Sequence, residues 1–303
     1  MYFSVQNVHS PYEMPPSYEA SDYPAMWDNT YANMLAVLDS ATCNVTDALK
    51  RAGLWDSTLV LWTADNGGIT LGNNYPLRGH KHDPWEGGSR VTAFLTGGFL
   101  PAQLRGTSTG HKFVHIADWY PTFVALAGAD PTDPAVLSGQ IHGIDGVNVW
   151  PMLTGTNLTQ PRRYTPLSEV SVMDVGDGNE GEGEGEGEGG GGEVWWKLIT
   201  LAGQSNYYFP NQTAVPSTNA SSACLAGAQE DPPQPGRTDA LVDGCPVCNA
   251  TQPCLYNILS DPFETTNLAP SHPEVVELLA QKLAEFEPYY VTGRLTDEEL
   301  ERR

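Results

Sequence analysis

Apolar and polar residues fall into blocks along this chain, and the period changes from block to block. YFSVQNV (2–8) is a run of strand-forming residues and predicts a strand. Across roughly 24–52 the apolar positions recur at helical spacing: Trp27, Tyr31, Met34, Leu35, Leu38, Val45 and Leu49 form one face. Asp22 suits the cap of that helix, Pro24 its first turn and Gly53 its end. TLVLWTA (58–64) is apolar on both faces, as a buried parallel strand is, and VTAFLT (91–96) predicts another strand. ADWYPTFVALAG (117–128) predicts a helix capped by Asp118 and stopped by Gly128.

The later part reads differently. GDGNEGEGEGEGEGGGGE (176–193) is low-complexity, charged and glycine-rich, and predicts a disordered insertion inside a domain. VWWKLITL (194–201) predicts a strand, 210–253 a long polar loop, and CLYNILSD (254–261) another strand. Ser271-His-Pro-Glu274 has the form of a capping box. It would open a helix that turns Val275, Leu278, Leu279, Leu283 and Phe286 inward. The expected organisation is an α/β domain over 1–158, with a linker near 155–165. A small α+β domain over 159–303 follows, with an antiparallel sheet and a C-terminal helix.

In open α/β sheets, ligands bind beyond the C-terminal ends of strands. His9 follows the first expected strand, and Asp65 and Asn66 follow the second. If the strands are parallel, these residues face one crevice.

Composition narrows the partners. The formal charge is −22, and −14 without the eight acids of 174–193, which argues against nucleic acid. No stretch approaches the ~18 apolar residues of a membrane span. MYFSVQNVHS lacks the basic start and apolar core of a signal peptide. Sequons stand at Asn44, Asn157, Asn211, Asn219 and Asn249. Together with clustered cysteines they indicate a secretory route, lysosomal or extracellular, and glycosylation at those sites. Of Cys43, Cys224, Cys245, Cys248 and Cys254, the last four share a loop-rich segment. One or two loop disulfides is the simple reading; a four-thiolate zinc site built on the C-x-x-C at 245–248 is the other. Cys43 lies off the apolar stripe of its helix, free or paired elsewhere.

Two stretches carry chemistry. TADNGG (63–68) ends a strand on residues that favour a tight turn, yet Asp65 and Asn66 also offer hard oxygen ligands suited to calcium or magnesium. PLRGHKHDPWEGGSR (76–90) gathers Arg78, His80, Lys81, His82 and Arg90 beside glycines. It suits an anion, or is a solvated loop with an internal Glu86–Arg90 pair.

The order and spacing of several blocks resemble one family. VQNVHSP (5–11), LWTADNGG (61–68), LRGHKHDPWEGGSR (77–90), HIADWYPTFVALAG (115–128) and GIDGVNVW (143–150) look like successive blocks of the type I sulfatases, nearest the arylsulfatase B-like branch. WWKLIT (195–200) and LYNILSDPFETTNL (255–268) are similar to that family's terminal domain. Each block alone is weak; their joint order is specific. The resemblance implies an alkaline-phosphatase-like α/β fold, partial here, and hydrolysis of sulfuric esters such as those of a sulfated carbohydrate. It implies calcium, with Asp65 and Asn66 matching two of its ligands. It implies His9 near the leaving-group oxygen and Lys81 on the sulfate.

The family's nucleophile is a formylglycine made from cysteine in a C-x-P-x-R setting, and none of the five cysteines here has that setting. The upstream acidic metal ligands are missing too. The expectation is therefore the later part of a sulfatase, inactive alone, with the formylglycine in an upstream segment. Two other readings stand beside it: a non-catalytic sulfatase-like binding protein, and a metal-dependent phosphoesterase of the same superfamily.

Overall fold

The computed structural model describes residues 1–13, 29–69, 71–132, 134–138, 143–176, 193–201 and 248–287. Asp22, Pro24, Trp27, most of the glycine–glutamate run, Cys224, Cys245, Asn211 and Asn219 lie outside these residues. The packing groups into two units, Met1–Asn74 with Arg90–Ser108, and Tyr75–Ser89 with Thr109–Arg303. They do not follow a single cut at 158/159.

In the first unit, helix α1 (Asn29–Arg51) precedes strand β1 (Val60–Thr63), which pairs with strand β2 (Ala93–Thr96). The pairing is antiparallel, Val60 opposite Thr96 and Thr63 opposite Ala93, which corrects the expectation of a parallel pair. An apolar run cannot distinguish the two, because either pairing can bury both faces. Trp62 stacks on Phe94 across the pair at 5.4 Å. The 2–8 stretch is not a strand: it has no ladder partner among the described residues, and Met1, Tyr2 and Phe3 are exposed. Asn7 instead donates from Nδ2 to the Met34 carbonyl of α1 (2.8 Å). Met34 on the helix face is buried, Leu35 is exposed, and Cys43 is free and exposed.

The second unit contains α2 (Glu86–Ser89), α3 (Trp119–Leu126), α4 (Pro134–Leu137), α5 (Trp150–Leu153) and α6 (Pro273–Phe286). Its sheet is four antiparallel strands in sequential order: β3 (Tyr164–Ser168), β4 (Ser171–Asp174), β5 (Trp196–Ile199) and β6 (Cys254–Asn257). Side chains alternate across a sheet. Val172, Leu198 and Leu255 therefore meet Leu279 and Leu283 of α6 on one face. Met173, Ile199, Cys254 and Tyr256 point to the other face, where Trp85 covers them. Both faces are closed, which is why these strands read as continuous apolar runs.

Local expectations need correcting at three helix positions. Ser271-His-Pro-Glu274 makes no capping box: His272 is the cap position and forms no side-chain cap bond, while Ser271 Oγ donates back to the Leu268 carbonyl (3.0 Å). Leu278 is 39% exposed, so only Leu279 and Leu283 of α6 are fully inside, with Val275 and Phe286 partly so. Asp118 does not cap α3 with its side chain. Its carboxylate accepts from the His115 N–H (2.8 Å), the Val147 N–H (3.0 Å) and Arg162 Nη2 (2.6 Å). Cys248 and Cys254 form a disulfide, which removes Cys248 from any four-thiolate zinc site.

Candidate functional site

The stretch after β1 is built as a closed loop. Gly68 and Asn74 exchange two bonds, Gly68 N–H to Asn74 Oδ1 (2.7 Å) and Asn74 Nδ2 to the Gly68 carbonyl (2.8 Å). The asparagine side chain thus acts as a missing strand partner. Gly68 and Gly72 pass so closely that a Cβ on Gly68 would lie 2.9 Å from Gly72 Cα, which accounts for a glycine there. Asp65 is exposed and Asn66 half-buried at the loop entrance. Asp65 Oδ1 accepts from the Asn66 N–H (2.9 Å), and Asn66 Nδ2 donates to the Gly67 carbonyl (3.0 Å). Asn66 Oδ1 is thereby the oxygen it can turn to a ligand.

These donors fit calcium in kind. They do not fit it in number: among the described residues, no group of three or more His, Cys, Asp and Glu side chains could hold a metal ion.

His9 belongs to the same unit and is exposed. Its Nδ1 lies 2.9 Å from the Ser10 carbonyl oxygen. A carbonyl only accepts, so this bond puts a proton on Nδ1 and leaves Nε2 to take or give the second one. Three residues on, the Tyr12 hydroxyl donates to the Ile69 carbonyl (3.3 Å), tying the His9 segment to the loop that carries Asp65.

Lys81 belongs to the second unit, half-buried on a turn over 78–88. The turn is folded tightly on itself. Gly87 N–H donates to the Arg78 carbonyl (2.6 Å), and His80 N–H to Asp83 Oδ2 (2.9 Å). His80 Nδ1 donates to the Lys81 carbonyl (2.7 Å). A Cβ on Gly87 would lie 2.4 Å from the Gly79 carbonyl oxygen, and one on Gly88 2.4 Å from that of Asp83.

Beneath the turn, Arg78 and Glu86 join Lys197 and Glu264 in a group that sequence reasoning did not foresee. Arg78 is buried, with its guanidinium 3.6 Å over the Trp85 ring. Arg78 Nη1 donates to the Glu264 carbonyl (3.0 Å) and lies 3.4 Å from the Tyr256 hydroxyl. The Glu86 carboxylate lies 2.9 Å from Lys197 Nζ, and the Glu86 N–H donates to Glu264 Oε2 (2.7 Å). Lys197 is fully buried in mid-strand, opposite Met173 and Tyr256, and its Nζ also sits 2.9 Å from Glu264 Oε1. Burial pushes the Glu264 carboxyl up to about 7 against the pull of Lys197. Burial would lower the Lys197 ammonium, but Glu264 and Glu86 outweigh it and hold the group above its ordinary value. The one sequence signal was a lysine inside the apolar run WWKLIT.

Comparison with known proteins covers nearly the whole chain. Residues 1–129 match the family model for sulfatases. Mouse arylsulfatase J is 29% identical over 307 residues, covering 94% of this chain and 44% of that protein. Human arylsulfatase A is 27% identical over 263 residues, 83% of this chain and 42% of that protein. The chain spans under half the length of these relatives. Among solved structures, the PsFucS1 sulfatase of Pseudoalteromonas superposes with a TM-score of 0.54 at 20% identity, over 94% of this chain and 48% of that one. Ps i-CgsB in complex with k-i-k-neocarrahexaose gives 0.55 at 19% identity, over 92% and 48%. These superpositions establish the fold, an α/β sulfatase fold with an antiparallel terminal sheet.

Proposed function

We propose that the chain belongs to the type I sulfatase family and forms part of a calcium-dependent, arylsulfatase B-like hydrolase of sulfuric esters, with a sulfated carbohydrate as the substrate class. The observation that carries this reading is the tight turn over 78–88, which presents Lys81 within the family-matched stretch.

The Lys81 ammonium offsets charge on the sulfate oxygens in ground state and transition state alike. His9, with one proton fixed on Nδ1, gives its Nε2 proton to the departing alkoxide. Asp65 and Asn66 would hold two of the ligand positions of a calcium ion whose other ligands come from a further segment, and the ion would offset further charge on the sulfate. The nucleophile is not among these 303 residues, since no cysteine stands in C-x-P-x-R. A formylglycine on a further polypeptide segment is part of the proposal. So are a lysosomal or secreted location and glycans on Asn44 and Asn157, both exposed, and on Asn249, Asn211 and Asn219.

The test is sulfate release by the chain alone and together with a polypeptide carrying C-x-P-x-R, each with a formylglycine-generating enzyme. The expected result is no release by the chain alone and calcium-dependent release by the pair. Turnover by the chain alone would overturn the assignment. Sulfate binding with no turnover in any combination would favour the non-catalytic binding protein, and phosphate release the phosphoesterase. In the active pair, Lys81→Ala should lower kcat/KM on all esters, and His9→Ala mainly on esters with poor leaving groups.

A further inference from the structure

We infer that Glu264 and Lys197, on the terminal sheet and the loop beyond it, are positioning residues for Lys81. The inference rests on the reading of Lys81 as the sulfate ligand. Glu264 grips both ends of the 78–88 turn. Its backbone carbonyl accepts from Arg78 at the start (3.0 Å), and its carboxylate accepts from the Glu86 N–H near the end (2.7 Å). Glu264 does so with a left-handed backbone, φ 55, which costs a residue with a side chain. Lys197 stands between the Glu86 and Glu264 carboxylates at 2.9 Å from each and lets both remain buried. Arg78 completes the charge balance, two cations against two carboxylates, and lies flat on Trp85 inside the same turn.

A turn carrying one half-buried ligand has many ways to move. A charged group binds and discriminates an anion only if it is held to within a fraction of an ångström. Glycines at 79, 87 and 88 let the backbone close up, but closure alone does not fix where the turn sits. The clamp does, and its parts come from positions 197, 256 and 264, more than a hundred residues away in sequence. The terminal sheet is thus more than a support for the fold: it sets the place of the sulfate-binding lysine.

The experiment uses the 303-residue chain and two readouts. The first is amide hydrogen exchange in peptides covering 79–88. The second is the shift of Lys81, labelled by reductive methylation and identified by its absence in Lys81→Ala, on titration with inorganic sulfate. Glu264→Ala and Lys197→Met should speed exchange in 79–88 by about tenfold and weaken sulfate by a similar factor, the scale of losing bonds to buried charges. Glu264→Gln keeps an oxygen for the Glu86 N–H and should fall between wild type and Ala. It also serves if the Ala variant does not fold. Leu279→Ala, which loosens the same sheet from its opposite face, should leave both readouts near wild type at matched stability. Unchanged exchange in all Glu264 and Lys197 variants overturns the positioning role. Equal change in Leu279→Ala also overturns it, since the effect is then general destabilisation. Faster exchange with no sulfate response in wild type upholds the clamp and sinks the reading of Lys81 instead.

Discussion

Two glycine-bearing turns carry the candidate ligands, and they are held in opposite ways. The loop of 65–74 is closed by one asparagine side chain bonding to backbone, with Asp65 exposed at its mouth. The turn of 78–88 rests on buried, paired charges that reach it from the terminal sheet. A loop closed by its own side chains fails locally when one is lost. A turn clamped by buried ions passes damage into the core, because the partner left behind is an unpaired charge. The comparison makes the two turns separable by experiment.

The largest contrast should come from Lys197→Ala. It leaves the buried Glu86 and Glu264 carboxylates facing each other without their cation. Loss of one partner of a buried ion pair costs about 3–5 kcal/mol. Urea unfolding should show this as a lower midpoint. A change under about 1 kcal/mol would mean the charges relax into solvent, on the scale of exposed pairs, and that the clamp is not buried in solution.

The same clamp should give the chain a pH dependence of known sign. Glu264 sits at about 7 when folded, above its ordinary 4.5. A carboxyl raised on folding binds more protons in the native state, so its stabilisation is complete below pH 4.5 and declines as pH rises toward 7. Lys197, also raised, holds its contribution throughout that window. The Tyr256 hydroxyl, raised by burial, does not titrate there. His115, lowered by burial and by Arg162, acts in the opposite direction elsewhere in the unit. The informative quantity is therefore the difference between wild type and Glu264→Gln in urea midpoints at pH 5 and pH 7. Wild type should lose more stability over that interval than the variant. Equal slopes would remove Glu264 as the source.

How much of this was legible in the sequence depends on distance along the chain. The α6 stripe, α1 and the sites of β1, β2, β5 and β6 followed from periodicity, because those patterns are local. The direction of β1–β2 pairing did not, since an apolar strand reads alike in either orientation. Asp65, Asn66, His9 and Lys81 stood out by residue type and block order. The clamp did not: Arg78, Glu86, Lys197 and Glu264 look like ordinary charged positions until the sheet brings them together. Only Lys197 broke its local pattern. For Glu86 the sequence offered a partner close by, Arg90, and gave no sign of Lys197, which lies 111 residues away.

Gly87→Ala sharpens the comparison on the clamped side. The added Cβ would meet the Gly79 and Arg78 carbonyl oxygens at 2.4 and 2.5 Å, both of them backbone atoms pinned by the clamp. Relief requires moving the turn, at about 1–3 kcal/mol. Thermal unfolding should show the loss, and a neutral effect would mean the turn shifts freely.

Asn74→Ala tests the other side and should have the smallest effect. The variant removes both bonds between Asn74 and Gly68, leaving the Gly68 N–H and carbonyl to find water. Both residues are only half-buried, so water can replace most of what is lost. A pair of such neutral bonds is worth about 1 kcal/mol net. The loss should be confined to its own loop: exchange at Gly68 should accelerate, while peptides over 78–88 keep wild-type protection and the urea midpoint barely moves. A loss as large as that of Lys197→Ala would show that the 65–74 loop is also tied into a core, and the distinction between the two turns would fall.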